Sequence, residues 1–90
     1  MEKVVLKLYV SGESPRYKRS IEEAHRIVEK LSEYDAQLEV IDISEHPEVA
    51  QEDNILATPT LIKKLPPPIR SIIGDLFDSD KILMVLDLAP

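Results

Sequence analysis

The chain contains no cysteine and no tryptophan, and only two glycines and one phenylalanine. Without cysteine there is no disulfide, no thiolate nucleophile and no thiol-ligated metal. With two glycines there is no glycine-rich phosphate loop, so nucleotide binding of that kind has no support. Positive charge is also scarce: 11 Lys and Arg stand against 17 Asp and Glu, a net charge of −6. Nucleic acid rewards clustered cations at its phosphates, so this balance points away from it. No run of about 18 apolar residues occurs, and no membrane-crossing helix is predicted. Met1-Glu2-Lys3 begins no signal-peptide pattern, which places the expected protein in the cytoplasm.

What is present suits one small folded unit, expected to span residues 1–90. Apolar residues make up 43% of the sequence, a globular rather than a disordered composition. Val4 to Val10 is apolar except for Lys7, the pattern of a strand covered on both faces. Ser14 then fits a helix N-cap and Pro15 the first helical position. A helix to about Tyr34 follows, with Tyr17, Ile21, Ala24, Val28, Leu31 and Tyr34 on one stripe and a Glu22–Arg26 pair four residues apart. Gln37 to Ile43 reads as a second strand, with Leu38, Val40 and Ile43 on one face and Ile41 on the other. Glu48 to Asp53 predicts a short acidic helix with Val49 and Ala50 turned inward, ended by Asn54.

The next stretch, Ala57 to Arg70, is bounded by Thr58-Pro59 and by Pro66-Pro67-Pro68. Proline fixes φ and donates no N–H, so neither end is ordinary helix or ladder. Thr60 to Leu65 is the predicted third strand, entered through a cis Thr58-Pro59 bond, and Ile69 to Gly74 the fourth. Asp78 or Ser79 caps a last helix from Asp80 to Leu88. The apolar run from Ile82 to Leu86 fits a buried helix or a strand equally by periodicity. The order β-α-β-α-β-β-α, with Thr-Pro ahead of the third strand, is that of a thioredoxin-like fold, an α/β class with a four-stranded mixed sheet of order 2-1-3-4. Strand two is then an edge, which offers unpaired backbone groups to a partner.

Few residues suit chemistry. In a thioredoxin-like fold the reactive group sits at the start of the first helix, which here reads Ser11-Gly12-Glu13-Ser14-Pro15-Arg16. Ser14 is placed to activate a glutathione thiol, which makes a glutathione-dependent enzyme the rival reading; its plainer role is the N-cap, and Glu13 repels an anion there. His25 and His46 lie on different elements without an acidic ligand pattern, so no metal or catalytic role is assigned. Pro59 is assigned to setting strand direction. No cofactor is expected.

Several blocks carry a family resemblance: Leu6-Lys7-Leu8-Tyr9-Val10, Ile55-Leu56-Ala57-Thr58-Pro59-Thr60-Leu61, Leu65-Pro66-Pro67-Pro68, Ile72-Ile73-Gly74-Asp75-Leu76 and Leu86-Asp87-Leu88. In this order, across almost the whole chain, they resemble the KaiB circadian-clock family. The resemblance implies a non-enzymatic regulator that docks on a KaiC-like ATPase and uses the second-strand edge to capture a KaiA-like protein. A histidine-kinase sensor domain of similar fold is the alternative, disfavoured by the expectation of no linker or kinase segment. The implied docking residues are Leu38, Glu39, Val40, Val49, Glu52 and Asn54, with Arg19, Lys63 and Arg70 matching basic positions of the family. The family also implies metamorphic fold switching between the thioredoxin-like monomer and a tetrameric βαββααβ form.

The chain departs from the family pattern at several positions. Glu39 and Asn54 stand where Lys is frequent, Ser71 where Arg is, and Val85 where Gly is usual before Leu86-Asp87. With the family's acidic tail not expected beyond Pro90, and Val85 expected on or near the buried face of the last helix, Val85 and Asp87 are the positions expected to bias the fold toward the monomer.

Overall fold

The computed structural model describes residues 1–88. Ala89 and Pro90, and with them the last two residues of the expected 1–90 unit and the point where a tail would begin, lie outside the described residues. Seven elements follow in order: β1 (Lys3–Val10), α1 (Pro15–Lys30), β2 (Asp35–Asp42), α2 (Pro47–Glu52), β3 (Thr60–Leu65), β4 (Arg70–Ile73) and α3 (Ser79–Val85). The sheet order is β2-β1-β3-β4, with β1 and β2 parallel and both later pairings antiparallel.

The alternation of β1 divides its side chains between two layers. Val4, Leu6, Leu8 and Val10 point into the larger core with Ala24, Ile27 and Leu31 from the first helical segment and Ile82, Leu83 and Leu86 from the last. Tyr9 points the other way and joins Ile41 and Ile62, against which Val49 and Ile55 pack. The sheet is therefore covered by α1 and α3 on one face and by the smaller α2 segment on the other.

The helices are punctuated where the chain chemistry demands. Ser14 accepts the Tyr17 N–H at 3.3 Å, capping α1, and Pro15 occupies its first turn. The helix stops at Lys30 rather than near Tyr34, because Leu31 leaves helical geometry as the C-cap while still filling the core. The buried stripe is also rotated from the expected one. Ile27 is fully buried, whereas Ile21 and Val28 are half-buried. Arg26 pairs with Glu23 at 2.6 Å, three residues away, and not with Glu22.

Ile43 corrects another expectation. It lies past the end of β2 and packs with Tyr9 and Ile41, not on the face of Leu38 and Val40. Asp78, rather than Ser79, caps α3 by accepting the Lys81 N–H. The ambiguous Ile82–Leu86 run is helical through Val85 because Ile82, Leu83 and Leu86 fall on one buried side. Val85 does not: it is 55% exposed, so of the expected placement on or near the buried face it takes the place beside that face, next to the groove with Ile82. The Thr58-Pro59 bond is cis as expected, and so are Leu65-Pro66 and Pro67-Pro68.

Both short helices close in the same way. In α2 the Ile55 N–H reaches the Ala50 carbonyl and the Asn54 N–H the Gln51 carbonyl; in α3 Leu88 reaches Leu83 and Asp87 reaches Met84. This is the paired closure of a Schellman motif, and it needs a left-handed residue just after the cap. Asn54 at φ 55° and Asp87 at φ 59° supply it.

Candidate partner-binding surface

The β2 edge and the α2 helix form one continuous surface. On β2, Leu38 stands beside Leu6 and Val40 beside Leu8, so both lean over the larger core; Val40 remains 38% exposed at the rim. Glu39 turns to the opposite face, next to Lys7, whose Nζ lies 3.7 Å from its carboxylate. A groove of about 360 Å³ runs from this edge to α2, between Glu39, Val40, Asp42, His46 and Val49. Its rim is acidic, because Glu39, Asp42 and Glu45 line it while Glu48 and Glu52 are exposed on α2.

Two carboxylates fix the shape of this surface. Asp42, at the end of β2, accepts the Ser44 hydroxyl at 2.6 Å and the Gly12 N–H at 2.9 Å, tying the β1–α1 turn to the α2 approach. These bonds, the Ser44 hydroxyl foremost, hold its carboxyl below the usual range. Asp53, at the C-cap of α2, accepts the Tyr9 hydroxyl and the Lys64 ammonium, the latter at 3.0 Å. The Tyr9 bond first and the Lys64 bond second lower its pKa, while burial pushes the Tyr9 phenol up. Sequence reasoning missed this junction: Asp53 read only as a helix end, and nothing in the order of residues pairs it with Tyr9.

Of the expected docking residues, the structure brings Glu39, Val40 and Val49 to this groove; Leu38 packs on the α1 side of the sheet, Asn54 borders a separate hollow with Ala50, Gln51 and Ile55, and Glu52 is exposed on α2. The structure does not bring the three matched cations to the groove. Arg19 is exposed on α1, Arg70 is exposed on the opposite edge strand, and Lys63 is fully buried with no hydrogen-bond partner at Nζ among the described residues. The register sets Lys63 beside Leu6, within the larger core, so in this conformation it presents no charge to a partner.

The place of the thiol in a thioredoxin-like enzyme holds different chemistry. Ser14 Oγ is engaged as the cap of α1, and Tyr17 Oη lies 2.7 Å from Thr58 Oγ1, bracing the helix start against the turn before Pro59. Arg16 is drawn to Asp75 at 2.6 Å. His25 and His46 are both exposed, and among the described residues no group of side chains is arranged to hold a metal ion. No helix of the described residues is long and apolar enough to cross a membrane.

These features define a thioredoxin-like protein that lacks the thiols of the enzymes sharing its fold. The N-terminal domain of Synechococcus elongatus SasA superposes with a TM-score of 0.77 at 21% identity, covering 97% of this chain and 86% of that one. Chloroplastic thioredoxin z superposes with a TM-score of 0.76 at 15% identity, over 96% of this chain and 77% of that one. At such identities the likeness shows the fold. The family follows from the sequence comparison: residues 7–88 match the KaiB domain, and the chain belongs to the KaiB family. It is 51% identical over 84 residues to the circadian clock oscillator protein KaiB of a Cyanothece species, covering 93% of this chain and 80% of that protein. It is 42% identical over 90 residues to the circadian clock protein KaiB3 of a Synechocystis species, covering all of this chain and 88% of that protein.

Proposed function

We propose that residues 1–90 act in the cytoplasm as one KaiB-type domain, a non-enzymatic regulator that docks on a KaiC-like ATPase and captures a further KaiA-like or kinase-type partner. The observation that carries this reading is the open outer side of β2 beside α2. An edge strand offers backbone donors and acceptors to an incoming strand, and the flanking side chains choose which strand is accepted. Leu38 and Val40 supply apolar contact, Glu39 and Glu52 supply charge, and Val49 and Asn54 set the neighbouring helix. The acidic rim favours a partner surface rich in Lys and Arg, with association that slows as salt is added. Arg19 and Arg70 extend the docking area elsewhere on the molecule, and Lys63 contributes only in a conformation that uncovers it. Exchange with the tetrameric family form supplies such a conformation, with Val85 and Asp87 at the segment that changes.

Titrating the isotope-labelled chain with purified KaiC-like and KaiA-like proteins tests this. The expected result is loss or shift of amide signals at residues 38–40 and 47–54, with affinity changed by Glu39→Lys. Binding that leaves those signals unmoved, or that ignores Glu39→Lys, rejects the assigned surface or its electrostatic part.

A further inference from the structure

The sheet has a second open edge, and its chemistry differs from the first. β4 is bonded to β3 on one side only. Gly74 donates its N–H to the Pro59 carbonyl at 2.9 Å, toward β3. Backbone groups alternate in direction along a strand, so Ser71 and Ile73 direct theirs outward. Apolar side chains are exposed on both faces of this edge: Ile73 is 67% exposed and Ile69 64%, and on the α3 side Phe77 is 83% exposed and Val85 55%. Between β4 and α3 lies a groove of about 250 Å³ lined by Ile72, Phe77, Lys81, Ile82 and Val85.

We propose that this edge is the docking site for a second copy of the chain, the two β4 strands pairing antiparallel about a two-fold axis centred on Ile72. That register puts Ser71 opposite Ile73 of the second copy, and the two residues exchange both of their outward bonds. By symmetry four backbone hydrogen bonds form. Ile72 meets its own counterpart, and Arg70 falls opposite Gly74 of the second copy, where nothing lies within 4 Å of the missing side chain. Asp75 is the next residue there, a carboxylate within reach of Arg70.

Charge selects this occupant. Among the described residues Arg70, Asp78 and Lys81 take part in no ion pair, and Asp75 pairs only with Arg16. The patch thus carries both signs, and the two-fold register brings Arg70 of one copy toward Asp75 of the other. The β2 edge carries Asp35, Glu39 and Asp42, and two copies meeting there would set like charges together. Self-association therefore belongs to β4 and leaves the β2 edge open, so it does not rest on the β2 docking proposed above, although Arg70 and Val85 are shared with that reading. A four-residue strand makes a small interface, and the dimer is weak, with a dissociation constant on the order of 0.1 mM. The monomer then prevails only in dilute solution.

Sedimentation equilibrium and an amide-resolved dilution series on the whole chain, up to about 1 mM, test the proposal. The mass is expected to rise toward twice the monomer's, with shifts confined to Ile69–Gly74, Phe77 and α3. Ile73→Lys, at an exposed position, is expected to weaken association about tenfold, Arg70→Glu to weaken it too, and Glu39→Lys to leave it unchanged. A monomer throughout the range overturns the proposal, as do concentration-dependent shifts along β2 or a tetramer with strand-like shifts over residues 80–88.

Discussion

The Tyr9 hydroxyl donates to the Asp53 carboxylate, fastening the end of α2 to β1, one of the two central strands, across 44 positions of sequence. The α2 helix has six residues and none of them is buried, so its own burial holds it weakly. Its position rests on Val49 and Ile55 packing beneath it and on this polar junction, which Lys64 completes.

Tyr9→Phe leaves the ring in place and removes only the donor. The expected cost is about 1–3 kcal/mol, the range for a carboxylate that loses a partner in a partly buried site. Amide exchange should quicken first over residues 47–55, ahead of β1 and β3. Equal quickening across the sheet would show that the bond does not act on α2 in particular.

The same junction sets a pH dependence with two signs. Asp53 has a lowered pKa when folded, so its contribution is present above the unfolded carboxylate value and is lost as pH falls through the lower folded value. Tyr9 has a raised pKa, so its contribution is complete below the ordinary tyrosine value of about 10 and is lost as pH rises beyond it. Denaturant midpoints measured from about pH 2 to about pH 12 should fall at both ends of this range. Asp53→Asn should flatten the acid limb and Tyr9→Phe the alkaline one.

Lys63 carries the next prediction. Its ammonium is buried without a partner among the described residues, a placement that costs free energy unless compensated. Lys63→Met keeps the chain length and removes the charge. Stability of the thioredoxin-like form should rise by about 1–3 kcal/mol, measured as a higher denaturation midpoint with unchanged slope. If a partner uses Lys63 after a rearrangement, the same variant binds more weakly although it folds more stably. A drop in stability would mean that the ammonium is satisfied in solution.

The fold was legible in the sequence because its strong signals are local. The Val4–Val10 run, the Ser14-Pro15 cap and the Thr58-Pro59 entry each act within a few residues, and each stands where it was expected. The β2 edge was legible as a consequence of strand order. What escaped was contact between distant positions. Nothing near Lys63 announces that β3 will turn it inward beside Leu6, and nothing near Asp53 points to Tyr9. The rotation of α1 was lost because Ser20 and Glu23, both polar, lie on the buried side with Ile27. Asn54 and Asp87 were read for charge and fold preference, whereas their backbone angles make them the residues that close α2 and α3.

Those angles decide the last prediction, which concerns the balance between the thioredoxin-like form and the proposed alternative. Val85 is exposed, so Val85→Gly forfeits little burial and acts through helix propensity, by roughly 0.5 kcal/mol. That shifts a two-state ratio only about two- to threefold. Asp87 has more leverage. At φ 59° it holds the left-handed position that lets Leu88 return to Leu83, and a β-branched residue there is strained. Asp87→Val should cost the thioredoxin-like form about 1–2 kcal/mol, while a strand in the alternative form welcomes valine. Asp87→Gly relieves the backbone and should favour the thioredoxin-like form instead. Two sets of amide peaks, integrated for the native chain and the three variants, give the ratios directly. Asp87→Val should enlarge the minor set most, Val85→Gly slightly, and Asp87→Gly should reduce it. If Val85→Gly moves the ratio more than Asp87→Val, helix propensity rather than the closure of α3 controls the exchange.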